Sequence, residues 1–361
     1  MRLIHTADIH LSSPNDERYK ALECILSICS VDNYNVDLLT ISGDLYDSKK
    51  DIFNLKRGLK DLFNIYLDRE SFFKPNFKIL IIPGNHDEDL YNVNDYLGSN
   101  VEIMCGKDVC IFDSEDVRVI GIPFFKGDFD SIISEIEDAK DDSKINMLMV
   151  HCTLDFPEFN KEGFGEEGKY RYLPITTEQL IYLDFDYVLA GHFHSNFIKK
   201  PYQKSPDSKK NWFINPGSPV KVTKNEKGKR KACLIDTEED LIRPIELDTL
   251  FYDSCHIIFH PYKMKEGFKQ LNEFVNNFKK DWDMKKVDLD IFLEGYISIS
   301  EIDFIEEIEK ICSGIKYKNN VLQVIDLLNK SLFKRFKELL EQKELDQEKK
   351  DELLNFVIEA F

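Results

Sequence analysis

The stretch Ile79-Leu80-Ile81-Ile82-Pro83-Gly84-Asn85-His86-Asp87 decides the fold, because an apolar run stops abruptly at a small polar cluster. A run of this length bounded by turn residues is typical of a buried strand. Pro83-Gly84 then predicts a turn, so the polar residues lie at the end of a strand. An amide, an imidazole and a carboxylate in succession can bind metal or transfer protons if other ligands converge on them.

Four other segments repeat this pattern of a short apolar run that ends in a metal-competent group. They are Leu3–Ala7 before Asp8-Ile9-His10, Val36–Ile41 before Ser42-Gly43-Asp44, Ile145–Val150 before His151, and Tyr187–Ala190 before Gly191-His192-Phe193-His194. Loops at strand ends commonly carry catalytic groups in layered α/β proteins, because the rigid sheet positions them. We therefore expect these five strand ends to meet.

Helices and further strands are predicted between these runs. Apolar residues at helical spacing indicate helices over Arg18–Ser30 and Phe53–Leu67, and strands are indicated at Val109–Phe112 and Val117–Ile122. The alternation of strands and helices predicts an α/β protein with two packed sheets and helices outside them.

The composition excludes several classes of protein. A net charge of −18 argues against a surface that binds nucleic acid everywhere. The eight cysteines lack the CxxC spacing of a zinc ribbon. The sequence begins with a strand-like segment rather than a signal peptide, and no apolar stretch approaches the roughly 20 residues of a membrane span. We expect a cytoplasmic protein with no membrane contact.

The segment from residue 199 to residue 231 is basic against this acidic background. Its positive residues are Lys199, Lys200, Lys204, Lys209, Lys210, Lys221, Lys224, Lys227, Lys229, Arg230 and Lys231. One interpretation is a solvated hairpin with its tip at Asn225–Lys229, since lysines commonly decorate exposed strands. The other is a rim that contacts nucleic-acid phosphates through Lys227, Lys229, Arg230 and Lys231.

The chain divides by pattern into three parts. We predict a catalytic domain over residues 1–250, a small α+β domain over 251–320 and a helical segment over 321–361. The helical segment carries an apolar stripe that includes Leu332, Phe336 and Leu339. Core packing is the commoner explanation of such a stripe, and docking onto a partner is the alternative.

The ligand types at the five strand ends indicate a metal centre. Seven candidate ligands carry oxygen or imidazole donors and no thiolate: Asp8, His10, Asp44, Asn85, His151, His192 and His194. Such donors suit Mn²⁺ or Fe²⁺, with zinc possible. Seven ligands exceed what one ion needs, so two divalent ions sharing one carboxylate are the economical solution. Two-metal sites polarise a phosphoryl oxygen and generate a hydroxide nucleophile, which predicts phosphoester hydrolysis.

These motifs and their order resemble the calcineurin-like metallophosphoesterases. The shared motifs are Asp8-x-His10, Gly43-Asp44-x-x-Asp47, Gly84-Asn85-His86-Asp87, His151 and Gly191-His192-x-His194. Within that family the chain looks like the SbcD, Mre11 and YhaO type of DNA repair nuclease, through His5–Leu11, Gly43–Asp47, Tyr172–Pro174, Asp186–His192 and Asn215–Pro219. The resemblance implies a four-layer αββα sandwich with a small α+β capping domain and a helical C-terminal tail.

The resemblance also implies a role for each site residue. Asp8, His10, Asp44 and His194 would hold the first ion, and Asp44, Asn85, His151 and His192 would hold the second. His86 would act on the scissile phosphate as a catalytic residue, and Asp87 would orient it. The ions implied are two Mn²⁺.

The function implied is that of a metal-dependent DNA exonuclease and endonuclease in DNA repair and recombination. The resemblance further implies a homodimer and a coiled-coil SMC-like ATPase partner of the SbcC type bound by the C-terminal helices. Two alternatives stay open: a phosphodiesterase or phosphatase that acts on small molecules, and a DNA-end-binding scaffold subunit whose importance is its ATPase partner.

Overall fold

The structure is a computed structural model that describes residues 1–14, 16–67, 72–88, 96–155, 173–195, 197–281, 283 and 285–360. Tyr172 and Phe361, which belong to predicted segments, lie outside the described residues. The chain forms two compact units, Met1–Tyr252 and Asp253–Phe361.

The first unit alternates strands and helices along most of its length. Its elements are β1 (Arg2–Thr6), α1 (Glu17–Ile28), β2 (Leu38–Ser42), α2 (Lys49–Leu67), β3 (Lys78–Ile82), β4 (Val101–Ile103), β5 (Cys110–Asp113), β6 (Val117–Ile122), α3 (Ile133–Ala139), β7 (Ile145–His151), β8 (Leu154–Asp155), β9 (Ile175–Thr176), α4 (Thr177–Leu183), β10 (Tyr187–Gly191), β11 (Ile198–Tyr202), β12 (Asn211–Asn215), β13 (Lys231–Asp236) and β14 (Leu241–Glu246). Asp16 caps α1 by accepting a hydrogen bond from the Tyr19 amide, and Thr176 and Gln179 form a capping box on α4.

Two six-stranded sheets organise this unit. The first has the strand order β14-β13-β1-β2-β3-β4, and the second has the order β11-β12-β10-β7-β6-β5. Strands β1, β2 and β3 pair in parallel, as do β7 and β10. Parallel pairing brings the carboxyl ends of the neighbouring strands to one edge of each sheet, so the polar groups that follow them in sequence lie close together.

Three apolar clusters fill the interfaces between the layers of the sandwich. Leu3, Leu80, Met149 and Leu189 belong to a buried cluster to which both sheets contribute, so the sheets pack face to face. A second cluster joins the first sheet to α1 and α2, and a third joins the second sheet to α3 and α4. The predicted four-layer αββα α/β fold is therefore confirmed.

The second unit is a small α+β arrangement followed by helices. Its elements are β15 (Phe251–Phe259), α5 (Met264–Asp281), β16 (Val287–Ile297), α6 (Glu301–Cys312), β17 (Tyr317–Asn319), β18 (Leu322–Gln323), α7 (Ile325–Asn329), α8 (Ser331–Glu341) and α9 (Gln347–Ala360). Within α8, Phe333 and Leu340 are buried, whereas Leu332 and Leu339 are exposed. None of the described helices is long and apolar enough to cross a membrane.

The basic segment does not form the predicted hairpin. Residues 220–222 are not in a strand, and β13 pairs antiparallel with β1 and β14 instead. The apolar residues of β13 complete the first sheet, and this burial outweighs local pairing. Residues 221–230 form a loop, which we call the basic loop.

Candidate metal centre

The loops after β1 and β2 run side by side and bring the first ligands together. The Asp8 amide donates to the Gly43 carbonyl at 3.1 Å, and the His10 amide donates to the Asp44 carbonyl at 2.9 Å. Asp8, His10 and Asp44 all have left-handed backbones, with φ of 55°, 54° and 50°. Non-glycine residues adopt this conformation only when surrounding contacts impose it, and such strain concentrates at functional sites.

Two glycines of the motifs make room for ligands. A Cβ on Gly84 would lie 2.1 Å from Asp44 Oδ1, and a Cβ on Gly43 would lie 2.1 Å from His151 Nδ1. Gly43 also has a φ of +89°, which side chains rarely adopt. The glycines of the two motifs are therefore required by the close approach of predicted ligands.

Four predicted ligands form one group. Asp8, His10, Asp44 and His194 each offer a ligand atom within 4.8 Å of the others, and all four are buried. His10 Nε2 faces His194 Nε2 at 3.0 Å, and Asp8 Oδ1 lies 3.8 Å from the same His194 nitrogen. These donors fit a divalent cation that prefers oxygen and imidazole ligands.

The remaining predicted ligands, Asn85, His151 and His192, lie around the ring of His151, which also approaches Asp44. His151 Nε2 is 2.9 Å from Asn85 Oδ1 and 3.3 Å from Asp44 Oδ2. The ring of His192 makes an edge contact with the ring of His151, at a centroid distance of 5.3 Å. The His192 amide donates to both oxygens of Asp8 at 3.0 Å, which ties this loop to the first group.

Asp44 is the carboxylate predicted to be shared, and its surroundings fit a cation. Its Oδ2 atom is buried and accepts no hydrogen bond from a described residue. The imidazole nitrogens of His151 and His10 lie 3.3 Å and 3.8 Å from that atom. A buried carboxylate oxygen without a donor requires an explanation, and a divalent ion coordinated beside it provides one.

Burial and charge shift the protonation of these groups. Burial raises the pKa of Asp8 and lowers the pKa values of His10 and His192. For Asp44 burial acts upward, but His151 outweighs it and the pKa is lowered. Burial alone would lower the pKa of His151, yet the Asp44 carboxylate raises it to about 10. An ion bound at His151, one of the predicted ligands, would therefore have to displace a proton from it.

His86 and Asp87 lie in the turn after β3. The ring of His86 bonds through Nδ1 to the Asp47 carbonyl at 2.9 Å, and the backbone amide of His86 donates to Asp44 Oδ1 at 2.9 Å. Asp87 is buried and accepts from the backbone amides of Gly84, at 2.6 Å, and Tyr46, at 3.2 Å. Through these two hydrogen bonds Asp87 stabilises the turn that contains His86.

The predicted phosphate contact of Arg230 is wrong, because this residue is buried. Arg230 is 3% exposed, and its guanidinium donates to the carbonyls of His194, Ser195, at 3.2 Å, and Ser218, at 2.9 Å. A residue bonded inward in this way cannot contact DNA at the surface. Lys227 is exposed, whereas Lys229 and Lys231 are partly exposed.

The sequence motifs assign no role to two residues near the ligands, Asp47 and Glu226. Both approach a predicted ligand: Asp47 Oδ1 lies 3.3 Å from His10 Nδ1, and Glu226 Oε1 lies 3.6 Å from His194 Nδ1. Asp47, His10 and His86 also form a second cluster able to hold an ion.

A buried set of carboxylates and imidazoles at the strand ends of a two-sheet sandwich defines a metal-dependent hydrolase. The model of the calcineurin-like phosphoesterase family matches residues 1–196, more than half of the chain, and the chain belongs to this family. A search of curated proteins found no match. Metallophosphoesterases use divalent metals, so the family and the site of Asp8, His10, Asp44 and His194 together indicate metal-dependent phosphoester hydrolysis.

Proposed function

We propose that the protein is a Mn²⁺-dependent DNA exonuclease and endonuclease that works with two ions. The main support is the contact between the basic loop and the metal-site loop. Arg230 bonds to the His194 carbonyl, and Glu226 approaches the His194 ring. The lysines of the basic loop therefore belong to a segment that packs against the candidate centre, where fixed cations favour a polyanionic substrate.

The two ions are assigned to the two ligand groups. Asp8, His10, Asp44 and His194 would hold one, and Asp44, Asn85, His151 and His192 would hold the other. When bound, the ions polarise the phosphoryl group and lower the pKa of water. A site with two anionic carboxylates, four imidazoles and one amide suits Mn²⁺.

We assign His86 to the substrate rather than to the metal. Its bond to the Asp47 carbonyl puts the ring proton on Nδ1, so the Nε2 atom carries the lone pair in the neutral ring. His86 and Asn85 are partly exposed, whereas the carboxylate and imidazole ligands are buried. A phosphodiester therefore approaches over His86, whose doubly protonated ring would keep Nδ1–H on the Asp47 carbonyl and donate through Nε2–H to the transferred phosphoryl group or to the leaving oxygen.

The C-terminal helices expose apolar side chains that suit protein partners. Leu332 is 67% exposed and Phe356 is 69% exposed on the C-terminal helices. Exposed apolar residues on amphipathic helices suit docking onto another protein. We propose a homodimer that binds a coiled-coil SMC-like ATPase through α8 and α9.

Cleavage of two substrates tests the function. The purified protein should degrade end-labelled linear duplex DNA with Mn²⁺ and lose that activity in EDTA, and an Asp44→Asn variant is the matched inactive control. Cleavage of bis-p-nitrophenyl phosphate without cleavage of DNA would contradict the nuclease and favour a small-molecule phosphodiesterase. A His86→Ala variant that keeps full biological function would favour the scaffold role.

A further inference from the structure

The two imidazoles that face each other in the first ligand group each have a carboxylate behind them. His10 and His194 approach through their Nε2 atoms at 3.0 Å. On the opposite side of each ring, Nδ1 of His10 lies 3.3 Å from Asp47 Oδ1, and Nδ1 of His194 lies 3.6 Å from Glu226 Oε1. A metal-binding imidazole is commonly oriented by such an acceptor at its other nitrogen.

Glu226 is buried and extensively bonded. It is only 2% exposed, and its Oε2 accepts from Ser218 Oγ at 3.0 Å and from the Val222 amide at 2.9 Å. Its Oε1, the oxygen nearest His194, accepts from the amide and the hydroxyl of Thr223, both at 3.0 Å. Burying a carboxylate costs free energy, and loop closure alone does not require a charge.

Asp47 contacts two predicted site residues through different atoms. Its carboxylate lies 3.3 Å from His10 Nδ1 and 3.2 Å from the Arg18 guanidinium, and its backbone carbonyl lies 2.9 Å from His86 Nδ1. Arg18 also donates to the His10 carbonyl. Asp47 therefore bonds to the predicted catalytic histidine through its carbonyl and faces a predicted ligand with its carboxylate, at a distance of 3.3 Å but without hydrogen-bond geometry at His10 Nδ1.

We propose that Glu226 and Asp47 are positioning residues that hold the His194 and His10 rings with Nε2 directed at the first ion. This inference rests on the metal centre of the proposed function and extends it. The carboxylates fix the tautomer with the proton on Nδ1 and increase the basicity of Nε2. Because Glu226 belongs to the basic loop, the segment with the candidate phosphate contacts also orients a ligand.

The experiment measures Mn²⁺ affinity of the metal-free full chain by isothermal titration calorimetry. Glu226→Gln and Asp47→Asn keep the size of the side chain and remove its charge. Each should weaken one of the Mn²⁺ sites by about 10- to 100-fold, the usual effect of losing such a partner, and leave the other site unchanged. Unfolding by urea in EDTA shows whether each variant is folded.

Two controls separate positioning from loop structure. Thr223→Val removes a hydrogen bond to the same Glu226 oxygen but keeps the carboxylate, and Glu246→Gln removes an exposed carboxylate that pairs with Lys229 at 3.0 Å. Both should retain the parent affinity. If Thr223→Val weakens Mn²⁺ binding as much as Glu226→Gln does, Glu226 only closes the loop and the inference fails.

The remaining outcomes show whether the positioning role fails alone or together with the metal centre. Unchanged affinity in both Glu226→Gln and Asp47→Asn overturns the positioning role while the metal centre stands. If the parent protein binds no Mn²⁺, the metal centre fails and the positioning role fails with it. Asp47 is partly exposed, so Asp47→Asn still tests the inference if Glu226→Gln does not fold.

Discussion

The two sides of the candidate centre differ in what supports their ligands. On the first side, defined by Asp8, His10 and His194, carboxylates lie behind both imidazoles. On the second side, defined by Asn85, His151 and His192, the Nδ1 atom of His151 bonds to the Ser42 carbonyl at 3.0 Å. A carboxylate behind a metal-binding imidazole brings a full negative charge close to the ion, which a peptide carbonyl does not. We therefore expect tighter metal binding on the first side.

The difference in exposure follows the same division. The described ligands of the first side are buried, whereas Asn85 on the second side is partly exposed beside His86. The second side thus lies next to the residue proposed to act on the substrate. We therefore expect the first side to retain metal and the second side to contact the reacting phosphate.

The largest expected effect comes from substitution of Asp44, because the two proposed ion sites share this carboxylate. Asp44→Asn keeps the size of the side chain and removes the charge that attracts both ions. Activity on phosphodiesters should fall by at least about 10⁴-fold, since each ion contributes several kcal/mol to the transition state. Steady-state rates and Mn²⁺ titration measure the two losses, and circular dichroism checks that the variant is folded. A variant that loses metal on only one side would show that Asp44 is not shared.

The next largest effects distinguish the roles of Asn85 and His86, which are neighbours in the turn after β3. His86→Ala should reduce the turnover rate by about 10²- to 10³-fold and leave Mn²⁺ affinity unchanged, as expected for proton transfer or transition-state stabilisation. Asn85→Ala should instead weaken Mn²⁺ binding on the second side, because Asn85 lies against His151.

Kinetics and Mn²⁺ titration on both variants measure this difference. The pair serves as its own control, since the two substitutions lie one residue apart in the same turn. Loss of metal in the His86 variant would contradict the assignment of His86 to chemistry.

The candidate ligands could be read from the sequence because each lies in a short motif at a strand end. Parallel pairing of β1, β2 and β3 then brings those motifs together, as the hydrophobic pattern predicts. The left-handed backbones of Asp8 and His10 could not be read in this way, because they result from hydrogen bonds between separate loops.

The supporting residues depend on contacts that no local pattern encodes. Glu226 approaches His194, although the two residues lie far apart in the sequence. Arg230 is as basic in composition as its lysine neighbours, but the path of the basic loop turns its guanidinium toward the His194 carbonyl. The hairpin prediction failed for the same reason, because β13 pairs with β1, more than 220 positions away.

A smaller effect concerns His5, a buried residue of β1 that links β2 of the first sheet to β10 of the second. Its ring bonds to Thr40 Oγ1 of β2 at 3.1 Å and to the Ala190 carbonyl of β10 at 3.0 Å. Burial lowers the pKa of His5 from 6.5 to about 4. The folded state keeps His5 neutral while the unfolded state becomes protonated below pH 6.5. Stability is therefore fully present above pH 6.5 and is lost as the pH falls toward 4.

The contribution of His5 to this loss should reach about 2–3 kcal/mol near pH 4.5, because each pKa unit corresponds to about 1.4 kcal/mol. Urea unfolding in EDTA at pH 7.0, 5.5 and 4.5 measures it. A His5→Gln variant should be less stable than the parent at pH 7.0, and this difference should shrink at pH 4.5. A difference that stays constant across the three pH values would rule out His5 as the titrating group.

The smallest expected effect concerns the basic loop, which supports His194 on the first side. It tests whether the lysines of this loop also contact the DNA substrate. Replacing Lys227 and Lys229 of the basic loop and Lys231 at the start of β13 with glutamine should lower duplex DNA affinity several-fold and reduce the slope of log affinity against log salt by about 1 to 3, according to how many lysines contact phosphate. Arg230 is left in place because it is buried. Replacing the exposed Lys265, Lys269 and Lys280 of α5 removes the same charge elsewhere and should leave the slope unchanged. Equal slopes for the two triple variants would mean that the basic loop supports His194 without contacting DNA.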